Sequence, residues 1–148
     1  RPAAEFECDS WFNVPDGQRG KADAVSLAAL RGKVVVVTFW GGFDTTQRGI
    51  AALDLMNTLN ELYAASGDVA VIGIHDSGNT NEEVMEYLKD RRVAFVTGKD
   101  RETRTFSNYN IFAIPQTVLI DKKGILRYYD VDGRLLELVK SLRREASD

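Results

Sequence analysis

KVVVVTFWGGFDTTQRGIAALDLMNTLNELYAA, Lys33 to Ala65, is the stretch on which the fold turns. Its first half, VVVVTF (Val34–Phe39), is an unbroken β-branched and apolar run, the pattern of a strand buried on both faces. Two glycines then turn the chain into a segment with helical spacing. Ile50, Leu53, Met56, Leu59 and Leu62 recur at steps of three, Leu55 and Tyr63 widen the stripe, and Gly67 ends it. Strand, glycine-bearing turn and helix start form a common active-site scaffold. The one side chain at that helix start able to do chemistry is Asp44. Asp is also among the best N-cap residues, and Gln47 three positions later completes a D-x-x-Q capping box. Such a cap is worth roughly 0.5–2 kcal/mol, and the carboxylate would meet the positive end of the helix dipole.

Outward from this stretch the same alternation continues. Residues 2–21 are turn-rich, with VPDG at Val14–Gly17 and Arg19-Gly20 after it, while Phe6, Trp11 and Phe12 suggest packing against the rest. Ala24–Lys33 reads as a short helical turn ended by Gly32. VAVIGI (Val69–Ile74) is a second buried strand that runs into His75 and Asp76. Thr80 and Glu83 open a second helix with a capping box, and Val84, Tyr87 and Leu88 form its inner stripe. Ala94–Thr97 reads as a short extended piece and Asp100–Tyr109 as a short helix carrying Phe106. Thr117–Ile120 and Ile125–Tyr129 are strands joined by the DKKG hairpin turn. A last helix from about Gly133 buries Leu135, Leu138, Val139 and Leu142. The expected architecture is α/β, a mixed central sheet with helices on both faces, formed by a single domain over residues 1–148 with residues 1–23 as an N-terminal extension packed on it.

Composition excludes several functions. The 148 residues carry a net charge of −3, with 44% hydrophobic and 28% charged residues, an ordinary globular balance. No basic footprint for nucleic acid is present; the basic residues near the C-terminus (Lys140, Arg143, Arg144) are interleaved with Glu137, Glu145 and Asp148 as on a solvated helix face. No apolar run approaches the ~20 residues that span a bilayer. The chain opens at Arg1 rather than Met and without a signal-peptide core, as a processed or excised piece would. A lone cysteine, Cys8, allows no intramolecular disulfide, and with one histidine no Cys/His zinc site.

Three segments carry a resemblance. LAALRGKVVVVTFW (Leu27–Trp40), VAVIGIH (Val69–His75) and AIPQTVLIDKKG (Ala113–Gly124), in this order, resemble the TlpA/ResA-type thiol–disulfide oxidoreductases of the thioredoxin-like fold. Trp11-Phe12-Asn13 is similar to the opening of one subgroup, and the likeness covers roughly residues 5 to 145. It implies a thioredoxin-like fold, a cis-proline at Pro115, and a C-x-x-C pair falling on Asp44 and Gln47. Neither position is a thiol. The resemblance also implies that the backbone of Ile114 pairs with an extended polypeptide and that the protein works outside the cytoplasm, periplasmic or membrane-tethered; Phe43, Trp40 and Ile114 could supply an apolar patch beside that backbone edge. No cofactor is implied.

Thiol–disulfide exchange needs a thiolate at the helix N-terminus and a second thiol to resolve the mixed disulfide. Asp44 and Gln47 can supply neither, and a peroxidatic thiolate is missing from the same place. The expectation is a polypeptide-binding or scaffolding module inactive in disulfide exchange. Two alternatives stay open: non-thiol or metal-dependent chemistry around Asp44, His75 and Asp76, whose N and O donors suit a divalent metal, and a single-thiol redox role for Cys8. Whether the chain is an enzyme at all is left open by these residues.

Overall fold

Strict alternation along one strand sets the layers. In β2 (Val34–Trp40) every residue is buried. Val34, Val36 and Trp40 enter one apolar cluster, and Val35, Val37 and Phe39 enter a second on the opposite side. A strand with both faces covered has to sit inside a sheet, because period two sends successive side chains to opposite faces. The computed structural model describes residues 1–148 except Asp16, Arg19, Asp130 and Asp132.

Around β2 are β1 (Cys8–Phe12), α1 (Gln47–Leu62), β3 (Val69–His75), α2 (Asn81–Asp90), β4 (Val96–Asp100), α3 (Arg104–Asn108), β5 (Gln116–Ile120), β6 (Leu126–Tyr129) and α4 (Leu135–Arg143). The sheet order is β1-β4-β3-β2-β5-β6. β2, β3 and β4 are parallel, whereas β1, β5 and β6 each pair antiparallel with a neighbour. The two parallel crossovers run through α1 and α2, which share one face with α4. Phe106 of α3, Tyr109, Ile111 and the N-terminal Phe6, Cys8 and Trp11 cover the other face. The mixed sheet with helices on both faces is therefore present. Among the described residues no helix is long and apolar enough to cross a membrane.

Two boundaries depart from the sequence reading, and one expectation lies partly outside the described residues. The segment read as turn-rich contains β1, an edge strand on β4 whose register shifts between Cys8 and Ser10; that irregularity, with Asp9 exposed between buried neighbours, hides the alternation. The turns expected at Val14–Gly17 and Arg19-Gly20 include Asp16 and Arg19, which lie outside the described residues. The extended piece at Ala94–Thr97 is displaced to Val96–Asp100. Asp100, fully buried, ends that strand and accepts hydrogen bonds from the backbone N–H groups of Thr105 and Phe106 (2.9 and 3.0 Å), so it anchors α3 from outside.

The inner stripe of α1 also differs. Gly49, Leu53, Met56 and Leu59 are buried in it, while Ile50 and Leu62 are exposed. A step of three falls about 60° short of a full turn, so a stripe drawn at constant steps of three rotates off the buried face at its ends. By contrast α2 has the capping box expected of Thr80 and Glu83, and α4 buries Leu135, Leu138, Val139 and Leu142. Leu59→Ala is expected to cost about 2–5 kcal/mol as a core cavity, and Leu62→Ala to stay within about 0.5 kcal/mol. Urea unfolding of the two variants measures the contrast; equal losses would put the stripe where the constant spacing draws it.

Candidate functional site

The site lies where β2 and β3 end side by side, Trp40 opposite His75, with β5 entering antiparallel beside them through the pair Phe39 and Gln116. From Trp40 the chain turns through Gly41–Thr46 into α1. The cap of α1 is not the one expected. Thr46 is the N-cap, its Oγ1 accepting from the Gly49 N–H at 3.1 Å, and Gln47 is the exposed first residue of the helix rather than its third. Asp44 stands two residues before the cap. Its Oδ1 accepts from the Thr46 N–H (3.0 Å) and from the Thr46 hydroxyl (2.6 Å), so it orients the capping side chain instead of capping directly. A Cβ on Gly49 would lie 2.2 Å from Asp44 Oδ2. Glycine at 49 therefore lets the carboxylate fold over the first turn of the helix. Sequence reasoning placed the cap on the stronger capper and overlooked Thr46, although TTQRG offers two further hydroxyl candidates.

His75 is fully buried and both its nitrogens are used. Nε2 accepts from the Gly42 N–H at 2.9 Å, and Nδ1 lies 2.9 Å from the Asp76 carbonyl. Since an N–H can only donate and a carbonyl only accept, the neutral Nδ1–H tautomer is the one that fits. Burial is the main reason its pKa lies below the ordinary histidine value, partly offset by the Asp76 carbonyl and carboxylate. Gly42 is held at its other end by Arg91, whose guanidinium donates to the Gly42 carbonyl at 2.8 Å. A Cβ on Gly42 would come 1.9 Å from the Tyr87 ring, so that ring packs directly on the glycine. Gly42, Tyr87 and Arg91 were not singled out from sequence. Tyr87 could be read only as part of a helical stripe, and nothing local tied Arg91 to a loop 49 residues away.

On the opposite side of the turn, Phe43, Asp44, Thr46, Arg48, Ile114 and Pro115 line a groove of about 470 Å³. The Ile114–Pro115 peptide bond is cis. Phe43 is 52% exposed, and Phe112, two residues before Ile114, is 89% exposed. A second, more apolar groove of about 350 Å³ shares Arg48 and Pro115 and runs along Ala51, Ala52 and Leu55 toward Leu135. Trp40 is corrected as a surface residue: it is buried, edge-on to His75 with ring centroids 4.6 Å apart.

Asp44, His75 and Asp76 do not converge. The His75 nitrogens and the Asp44 carboxylate are engaged as described, and Asp76 Oδ2 accepts from the Gly78 N–H. Among the described residues no group of three or more His, Cys, Asp or Glu could hold a metal ion. Cys8 is buried on the other face, and burial, then the Asp100 charge, push its thiol far above the ordinary value. A buried thiol held protonated is a poor nucleophile.

With this geometry in view, comparison places the chain. The profile of the AhpC/TSA family matches residues 2–129. The chain belongs to the AhpC/TSA family. Among curated relatives it is similar to the thiol-disulfide oxidoreductase ResA of Bacillus cereus, 29% identical over 100 residues, 68% of this chain and 56% of that protein. It is also similar to protein DipZ of Mycobacterium tuberculosis, 28% identical over 123 residues, 80% of this chain and 16% of that protein. The chain thus spans about half the length of the ResA protein it matches. Among solved structures, the thioredoxin-like superfamily protein SPOA0173 is 28% identical with a TM-score of 0.78, each chain covered to 99%. A thiol-disulfide oxidoreductase from Bacteroides fragilis has a TM-score of 0.79 at 20% identity, covering 96% of this chain and 99% of its own. The fold of this AhpC/TSA member is thioredoxin-like, and the ResA-type resemblance read from its sequence holds. Within that family Asp44 and Gln47 occupy its turn and first helical position without a sulfur atom.

The cap geometry separates two variants. Thr46→Ala is expected to destabilise by about 0.5–2 kcal/mol, the usual cost of losing a side-chain N-cap. Gln47→Ala, at an exposed first helical position, should change stability by less than about 0.5 kcal/mol. Denaturant titration reads both; a larger loss at Gln47 would restore the Asp44–Gln47 box.

Proposed function

We propose that this chain is a single thioredoxin-like domain that binds an extended polypeptide or partner protein and carries out no dithiol exchange. The observation that carries the reading is the combination at one turn: the groove formed by Phe43, Ile114 and Pro115 is built, while Asp44 and Gln47 bring no thiol to it. An extended segment could add its backbone beside Ile114 in the manner of a short strand, with one apolar side chain against Phe43. Covering that ring is the kind of contact that contributes about 1.5–3 kcal/mol when complete. Asp44 serves the helix start, through Thr46, rather than a reaction.

The names of the relatives support thiol–disulfide chemistry for those proteins. For this chain the reaction lacks both its nucleophile and its resolving group. An extracytoplasmic location is inferred from the same likeness. Nothing in the geometry favours the enzymatic alternative at Asp44 and His75, whose polar atoms are engaged in separate hydrogen bonds.

Reduction of insulin disulfides by dithiothreitol is expected to proceed no faster with the protein than without it, and Cys8→Ser should change nothing. Acceleration surviving that substitution would overturn the reading. The double variant Asp44→Cys with Gln47→Cys is expected to form an internal disulfide and gain measurable reductase activity. Binding is checked by amide chemical shifts during titration with a panel of short extended peptides. Perturbations should cluster at Phe43 and Ile114, and Phe43→Ala should weaken the binding roughly tenfold, about 1.4 kcal/mol.

A further inference from the structure

We propose that His75 is a positioning residue that holds the Gly41–Phe43 turn, and with it the groove beside Pro115, only while its imidazole is neutral. The functional meaning of this device rests on that groove being the binding site; the device itself stands on its own geometry. Gly42 donates its N–H to His75 Nε2 at 2.9 Å, and Nδ1 is committed to the Asp76 carbonyl at 2.9 Å. A proton added at Nε2 would face the Gly42 N–H, donor against donor. The ring has aromatic walls: Trp40 at 4.6 Å, Tyr87 stacked at 5.8 Å and 15°, and Phe43 at 6.5 Å between centroids. Among the described residues the partners of the His75 nitrogens are the Gly42 N–H and the Asp76 carbonyl, so a proton at Nε2 pushes the turn away.

It moves as a unit. Gly42 is gripped by the Arg91 guanidinium through its carbonyl and pressed by the Tyr87 ring, and Phe43 is the next residue. The charges around the imidazole come from several elements. Asp76 follows it on the chain and favours the proton, although its Oδ2 is spent on the Gly78 N–H. Lys99 of β4, paired with His75 in register, opposes the proton. From α2 come Tyr87 and, on the Gly42 carbonyl, the Arg91 cation, with Glu82, Glu83 and Glu86 lining the outer groove beside Tyr87. Asp44 lies beyond Phe43 in the turn, bonded to Thr46. Burial outweighs Asp76.

The sign follows. In the closed turn His75 has a pKa below its ordinary value, whereas once released into water it returns to about 6.5. The latch is therefore complete above about pH 6.5 and weakens as pH falls, the open fraction rising up to about tenfold per unit until the closed-state pKa is reached.

Hydrogen exchange of the Gly42 and Phe43 amides, expressed as protection factors, reads this without any peptide. From pH 7.5 to 5.5 protection should fall by up to roughly tenfold in the native sequence. In His75→Gln it should stay flat, because a carboxamide can turn its oxygen to Gly42 and its NH2 to Asp76 at every pH. The same pH dependence in both proteins would overturn the proposal. Should His75→Gln fail to fold, the native protein alone decides: the His75 ring shifts and the Gly42 amide shift must titrate together. Titration of His75 with Gly42 unmoved, or no titration down to pH 4.5, overturns it. A latch that titrates in a protein that binds no peptide would leave this inference standing and remove only the binding function.

Discussion

Burial of β2 on both faces is the constraint from which the remaining structure follows. Seven consecutive buried residues cannot lie at a sheet edge or against solvent. They require strands on both sides, supplied by β3 and β5, and apolar layers above and below. Parallel pairing to β3 demands a crossover, which α1 provides. The end of β2 then lies beside the end of β3, and the turn into α1 has to pass over that edge. The place of the site is a consequence of how the core is filled.

What occupies that place is built from small contacts. Two glycines let the turn lie under the Phe43 and Tyr87 rings, and a third, Gly49, makes room for the Asp44 carboxylate. The turn is tied down by His75, Arg91 and the Asp44–Thr46 pair. These ties agree with one another: the first two hold the Gly42 N–H and carbonyl, and the third holds the N–H and hydroxyl of Thr46. In this AhpC/TSA member the backbone of the turn is held by a neutral imidazole, a guanidinium cation and a carboxylate acting through Thr46.

Legibility in the sequence followed the range of the interaction. The continuous runs of β2 and β3, the Thr80–Glu83 box and the apolar stripe of α4 are local patterns, and they appear in the structure as read. β1 was missed because its register breaks at Asp9 and its partner, β4, lies almost ninety residues away in the chain, in register from Cys8↔Asp100 to Phe12↔Thr97. The cap of α1 was misplaced by two residues because three adjacent side chains, Asp44, Thr45 and Thr46, can all cap, and which one does depends on how far the turn must travel before the helix starts. Trp40 was expected at the surface, yet as the last residue of a doubly covered strand it is buried against His75.

Residue type and spacing along the chain already carry the α/β class, the strand–helix alternation from β2 to α2, the closing hairpin and helix, and the absence of a dithiol at positions 44 and 47. Those properties depend on residue type and on spacing along the chain, which are readable without contacts. Only the tertiary structure decided that Asp44 serves Thr46, that His75 grips Gly42, and that Phe43 rather than Trp40 faces the groove at Pro115. Each of those is a meeting of residues set by strand register and by which side of a turn a side chain falls on. A hydrogen bond of 2.9 Å between residues 33 positions apart leaves no trace in either one's neighbours.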